Sequence, residues 1–310
     1  MVAEGRQDRP LLPEAACPFC PGSPQVPEPY DVLSRPNDFP PLSLAPPPPA
    51  VLGTELYPVR PAYGRCEVVL YSPDHLASLG DLPPSQLGRV VDLWAARSAA
   101  LAQDPRLRYV LVFENRGPEV GVTIAHPHGQ IYALPYVPQK LRVELEAFRS
   151  HRERTGRCVF CDILAEEGAD GRRILHADED FVAFIPFFTD FPFGAMIAPR
   201  RHLGGLAALT AHERSGLGRM LGAVAAGMDE LFARPFPYMM AVHQEPCRGG
   251  EDFHLHLEFY PPLRGRDRQK YLAAAETGGW APCNPAAVEG TAPLLRAAVL
   301  RVLARRPELA

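Results

Sequence analysis

Between Gly121 and Leu134 the chain places His126, His128 and Gln130 two residues apart, with Pro127 and Gly129 between them. In an extended segment alternate side chains share a face, so two imidazoles and one amide would line one side. Grouping them is costly unless they bind something. Pro127 and Gly129 both weaken a strand, and a glycine lets a ligand approach the backbone closely. A neutral imidazole is nucleophilic at pH 7 and its phosphorus adduct leaves readily, which suits nucleotidyl transfer in two displacements, with His128 as nucleophile. Gln130 can donate to a phosphate oxygen but cannot shuttle protons at neutral pH, which favours transfer over hydrolysis.

Four of the seven cysteines form two Cys-x-x-Cys pairs, Cys17/Cys20 and Cys158/Cys161. Met1 to Pro13 is polar, carries Arg6 and Arg9, and has no apolar run like that of an export signal. The chain is therefore expected in the cytoplasm, with its cysteines serving metal sites and not disulfides. Cys17 and Cys20 have the spacing of a zinc half-site that His75 and His126 could complete. Such a site would tie the N-terminal segment to the strand bearing His128, a structural role. The second half repeats the set as Cys158, Cys161, His202 and His254.

The elements that must position these groups recur in one order. The first half runs from the Cys17 pair through a strand-like Arg65–Tyr71, then His75, a helix from about Pro84 to Ala102, a strand-like Tyr109–Asn115 and the His126-Pro127-His128 segment. The second runs from the Cys158 pair through Phe181–Ile185, then His202, a helix opened at Thr210 by a capping box with Glu213, and His254-Leu255-His256. This order predicts a duplicated α+β unit dividing near Ser150, after a charged helix from about Pro138 to Arg154. His256 and Glu258 then stand where His128 and Gln130 stand, but Leu257 replaces Gly129, so no second catalytic centre is expected.

At 310 residues the chain can hold two such domains without disulfide staples. A net charge of -4 and a pI near 6.2 give no reason to expect a nucleic-acid partner, and no apolar run is long enough for a membrane span. The 36 prolines concentrate in Pro10 to Pro61, which predicts extended, loop-rich chain wrapped on a folded body.

His126-Pro127-His128-Gly129-Gln130 resembles the signature of the galactose-1-phosphate uridylyltransferases, a branch of the histidine triad superfamily, and further matches span nearly the whole chain. Asn37-Asp38-Phe39 and Phe113-Glu114-Asn115-Arg116-Gly117 resemble segments associated with nucleoside recognition. Thr123 stands where a phosphate-contacting Ser is common, and Arg6 and Arg9 match paired arginines near the substrate phosphates. Lys270 and Glu276 match a hexose-recognition segment contributed across a dimer interface, although the usual sugar-reading Gln has no equivalent. The resemblance implies zinc at the first Cys/His set. For a second ion it offers either Cys158, Cys161, His202 and His254 or Glu144, His243, His256 and Glu258; thiolates select zinc better, so the former set is expected. It also implies a homodimer in which His128 takes UMP from UDP-glucose and passes it to a hexose 1-phosphate, galactose 1-phosphate foremost. ADP-glucose phosphorolysis by the same histidine is the alternative.

The resulting expectation is an α+β protein: tandem histidine-triad-like units, residues 1–150 and 151–310, forming one mainly antiparallel sheet with packed helices and two structural zinc ions.

Overall fold

The computed structural model describes residues 17–250 and 252–310. Nine strands form one antiparallel sheet: β1 (Leu33–Pro36), β2 (Arg65–Leu70), β3 (Tyr109–Arg116), β4 (His128–Leu134), β5 (Ile174–Ala177), β6 (Phe181–Phe184), β7 (Met196–Pro199), β8 (Tyr238–His243) and β9 (His256–Tyr260). Among the described residues six α-helices accompany them: α1 (Pro84–Leu101), α2 (Gln139–Thr155), α3 (Val159–Asp170), α4 (Ala211–Phe232), the short α5 (Ala274–Gly279) and α6 (Val288–Arg305). The protein is thus α+β with a single large antiparallel sheet, and among the described residues no helix is long and apolar enough to cross a membrane.

The strand order is β1-β2-β4-β3-β8-β9-β7-β6-β5. Omitting β5, it reads the same from both ends once β1, β2, β3 and β4 are matched with β6, β7, β8 and β9. The two halves meet where β3 pairs with β8, Phe113 facing Ala241 and Glu114 facing Met240. Opposed residues in an antiparallel ladder point the same way. One row therefore carries Arg35, Val68, Gln130, Phe113, Ala241, Glu258 and Met196 on a single face. Gln130 and Glu258 occupy matching places in it, and His128 and His256, two residues earlier, share that face.

The opposite face is closed by α1, α4 and α6, whose Leu87, Val91, Trp94, Leu217, Leu221, Val224, Leu295 and Val299 bury against Val69, Val112, Ile131, Val242 and Leu257. Proline at the start of α1 suits a helical first turn, and Thr210 with Glu213 forms the anticipated capping box at α4. On the functional face, α2 and α3 cover the second half through Phe148 and Phe160, while Cys17, Phe19 and Val26 cover Val68 and Leu70 of the first. From residue 17 onward the proline-rich chain is irregular and turn-rich apart from β1, as its composition predicts. The anticipated strand at Phe181 is β6, the counterpart of β1; the true counterpart of β2 is the four-residue β7. Its brevity, and the continuous apolar runs of β7 and β8, left no alternation to read.

Helices α1 and α4 cross at glycines. A methyl on Gly218 would lie 2.9 Å from the backbone N of Gly88 and C of Leu87, whereas one on Gly88 would meet only Ser215 Cα at 3.9 Å. We expect Gly88→Ala to raise stability by about 0.5–1 kcal/mol through helix propensity. Gly218→Ala should instead lower it by about 1–3 kcal/mol, because the clash is with backbone that cannot rotate away; urea unfolding of the two variants checks the contrast.

Candidate functional site

Cys17, Cys20, His75 and His126 converge so that one ligand atom from each lies within 4.8 Å of the others. Cys20 Sγ stands 3.5 Å from His75 Nδ1 and 3.6 Å from His126 Nδ1. Sulfur and nitrogen donors sharing one tetrahedral zinc ion would be about 3.5 Å apart, given bond lengths of about 2.3 and 2.0 Å. The donor set and its spacing therefore fit a metal ion. His126 is buried, and burial pushes it down to about 4, so it is the neutral ring a metal requires. Its Nε2 lies 2.8 Å from the Ser72 carbonyl, fixing the proton there and turning the Nδ1 lone pair toward the cysteines. The Tyr30 hydroxyl, 2.7 Å from the same Nε2, also reaches the carbonyls of Phe19 and Ser72.

His126 sits in the bend before β4, so the shared face begins with His128 and Gln130 alone. Its backbone carbonyl lies 2.8 Å from His128 Nδ1. A carbonyl only accepts, so Nδ1 carries the hydrogen and Nε2 carries the lone pair. The half-buried His128 ring meets the Phe19 ring edge-on, with centroids 5.1 Å apart.

Gly129 points to the helix side, where an added Cβ would run into the Tyr71 hydroxyl. The ladder's need for glycine therefore comes from Tyr71 beneath it, not from a ligand above, which corrects the sequence-based reason. Across the face, Asn37 Nδ2 donates to Gln130 Oε1 at 3.3 Å, and Arg35 grips Asp38 with both guanidinium nitrogens at 2.8 Å. Asn37 and Gln130 are thus joined, with Asp38 beside them. Asn115 shares the face of Phe113, and half-buried Thr123 lies in the loop leading to His126. Lys270 and Glu276 are 3.6 Å apart, with the ammonium over the Phe191 ring. Arg6 and Arg9 lie outside the described residues.

The second half repeats the metal-site geometry. Cys161 Sγ is 3.4 Å from His254 Nδ1 and 3.7 Å from His202 Nδ1, while His254 Nε2 meets the Pro199 carbonyl at 2.9 Å, the counterpart of Ser72. His256 Nδ1 meets the His254 carbonyl at 2.9 Å, matching the His128 contact. Here, however, the ring is buried and stacks on Phe160 at 4.5 Å. Glu144, His243, His256 and Glu258 form a third convergent cluster that shares no residue with the cysteine set, so the two candidates for a second ion are both assembled. Lys140 Nζ reaches Glu258 at 2.5 Å and the Tyr260 hydroxyl at 2.8 Å. Although burial alone would raise it, the imidazoles of His243 and His256 and the Lys140 ammonium hold the Glu258 carboxyl well below its usual range. A cavity of about 350 Å³ opens over this cluster, lined by Lys140, Phe160, Phe188, Asp190, Glu258 and Tyr260.

Sequence comparison places this geometry. Residues 3–138 match the model of the galactose-1-phosphate uridyl transferase N-terminal domain, and residues 144–270 that of the C-terminal domain. The chain belongs to the galactose-1-phosphate uridylyltransferase family. It is 39% identical over 303 residues to the galactose-1-phosphate uridylyltransferase of Thermotoga maritima, covering 96% of this chain and 94% of that one. Against the Streptomyces lividans enzyme of the same name the identity is 33%, over 84% and 72% of the two chains. A solved uridylyltransferase structure superposes with a TM-score of 0.89 at 34% identity, covering 96% and 95%. An ADP-glucose phosphorylase from Arabidopsis thaliana, at 24% identity and a TM-score of 0.77 over 95% and 93%, shares the fold. Within the family framework the motif residues were legible from sequence. Tyr30 and Lys140 were not, because each acts through contacts made far along the chain; Arg35 was not either, although its partner Asp38 stands only three residues on.

Removing the Tyr30 hydroxyl strips partners from a buried carbonyl and from the ring of His126. We expect Tyr30→Phe to cost about 1–3 kcal/mol, read as a lower midpoint in urea with an unchanged slope.

Proposed function

We propose that this chain is a hexose-1-phosphate uridylyltransferase that works through a uridylyl adduct on His128 Nε2. The observation that carries the reading is the hydrogen bond between His128 Nδ1 and the His126 carbonyl, which puts the reactive lone pair on Nε2 without a general base. In the first displacement Nε2 attacks the α-phosphorus of UDP-glucose. The bond from that phosphorus to the bridging oxygen breaks, and glucose 1-phosphate leaves with the electron pair. In the second, a phosphate oxygen of galactose 1-phosphate attacks the same phosphorus and the nitrogen–phosphorus bond breaks, giving UDP-galactose. Nδ1 keeps its hydrogen on the carbonyl through both steps and holds the ring as its charge changes.

With Oε1 engaged by Asn37, Gln130 has its amide NH2 to offer the transferring phosphoryl oxygens. Thr123 and the arginines Arg6 and Arg9 would add phosphate contacts, and Asn37, Asp38 and Asn115 would hold the nucleoside. Lys270 and Glu276 would meet the hexose phosphate of a partner subunit in a homodimer. The acceptor phosphate arrives ionised, so no proton need be removed, in keeping with an amide in place of a third imidazole. Zinc fits Cys17, Cys20, His75 and His126, and also Cys158, Cys161, His202 and His254, as structural ions in both halves of a chain divided at 1–150 and 151–310. By fixing the His126 ring, the first set would hold the carbonyl that orients His128. Cysteines unpaired by disulfides and gathered in two metal-type sets accord with a cytoplasmic location.

Intact-mass measurement after incubation with UDP-glucose should show one added uridylyl group per chain, and His128→Asn should show none while keeping its fold and metal. ADP-glucose in parallel should leave the mass unchanged; an adenylyl adduct alone would transfer the reading to the phosphorylase reaction. Cys17→Ser should lose one of two zinc equivalents by elemental analysis and unfold at lower temperature.

A further inference from the structure

Behind the nucleophile strand lies a buried carboxyl that the proposed chemistry does not use. Glu114 of β3 turns to the helix side, opposite to His128 and Gln130, and accepts a hydrogen bond from the Tyr238 hydroxyl at 2.9 Å. Its Oε2 is buried without a hydrogen-bond partner, as are the Tyr71 hydroxyl and Trp94 Nε1. Tyr71 and Trp94 meet edge-on with centroids 5.8 Å apart. The Tyr71 hydroxyl lies directly under Gly129, with no room for a Cβ between them. Tyr71 is also clamped along its backbone: its N–H donates to the Pro127 carbonyl at 3.1 Å, and its own carbonyl accepts from Gln86 Nε2 at 2.7 Å. Glu114 is bonded to Tyr238 and lies close enough to Tyr71 for the two to interact electrostatically, which links the β3–β8 seam through Tyr71 to the stretch of chain between His126 and Gln130.

We propose that Glu114 is a positioning residue for the nucleophile strand, acting in its uncharged form through Tyr71 and Gly129. The proposal rests on the reading of His128 as nucleophile. The neutral carboxyl can accept from Tyr238 on one oxygen and carry its proton on the other, toward Tyr71. Once ionised, it would place a full charge in a core with no cation to pair it. Arg116, on the same strand, has both terminal nitrogens on Asp229 of α4 at 2.7 and 2.9 Å. Among the described residues Tyr71 and Tyr238 are the other titratable groups facing it, and burial pushes both phenols well above their ordinary range, so they stay neutral. Burial likewise pushes Glu114 up to about 7, with Tyr238 and Arg116 opposing. Because the folded value is raised, the fold favours the protonated acid, and stability falls as pH rises from the ordinary carboxyl range to about 7.

The test compares wild type with Glu114→Gln, which keeps the shape and the Tyr238 bond but cannot ionise. Uridylyl-adduct formation is timed in single turnovers from pH 6 to 9, and melting temperature is followed from pH 5 to 7. Wild type should slow about tenfold per pH unit above its limb, whereas Glu114→Gln should match it at pH 6, hold that rate to pH 9 and lose the pH slope in melting temperature. Glu114→Ala should lower the maximal single-turnover rate at least tenfold while the half-saturating UDP-glucose concentration changes less than twofold. If that variant does not fold, Tyr238→Phe, which removes the bond alone, takes its place with the same expectation. An unchanged alkaline limb in Glu114→Gln, or a rate as low as that of the alanine variant, overturns the proposal. Failure of wild type to form any adduct defeats the underlying nucleophile reading instead.

Discussion

The contact on which the site depends is the one between His126 and His128. One residue serves two functions through different atoms: its ring reaches the cysteine cluster, and its carbonyl takes the hydrogen of the neighbouring imidazole. A metal ion at the cluster would immobilise that ring and with it the peptide plane that orients His128. The linkage runs along the Cγ–Cβ–Cα–C path of one residue and one hydrogen bond, so little of it can be lost to side-chain motion. This gives a physical reason for a metal set that lies beside the candidate nucleophile without including it.

The second half shows the same arrangement of histidines in different surroundings. His254 and His256 repeat the carbonyl contacts of His126 and His128 nearly atom for atom. What differs is the surroundings: His256 is stacked between aromatic rings, and an acidic residue stands in the position of Gln130. A carboxylate there repels a phosphate, whereas an amide can donate to one. Lys140, Glu144 and His243 then draw Glu258 into a closed charged network. The same backbone therefore supports a half-buried imidazole beside an amide in one half and a buried charged cluster in the other, with side chains on one cross-strand row making the difference.

Glycines illustrate how easily a correct residue can be given the wrong reason. Gly129 flanks the histidines, and its sequence position suggests a ligand approaching the backbone. The structure places the pressure on the opposite side, where Tyr71 fills the space. Gly218, deep in α4, carried no signal at all, since only the crossing with α1 makes its missing side chain necessary.

By itself the sequence determined the chemistry-bearing types and their order: the histidine pair with Gln130, two Cys-x-x-Cys sets with their distant histidines, the capped helix at Thr210, and the repetition of these landmarks. These are local in the chain, set by spacing, alternation and helical period, and family membership followed from them. Tertiary structure alone decided which groups meet. It joined Asn37 to Gln130, assembled Glu144 with His243 and Glu258, and set Glu114 against Tyr238 on the helix side of the sheet. Those pairings depend on sheet register and on which face each strand presents, and register is fixed by the packing of the whole core, not by any short stretch of residues.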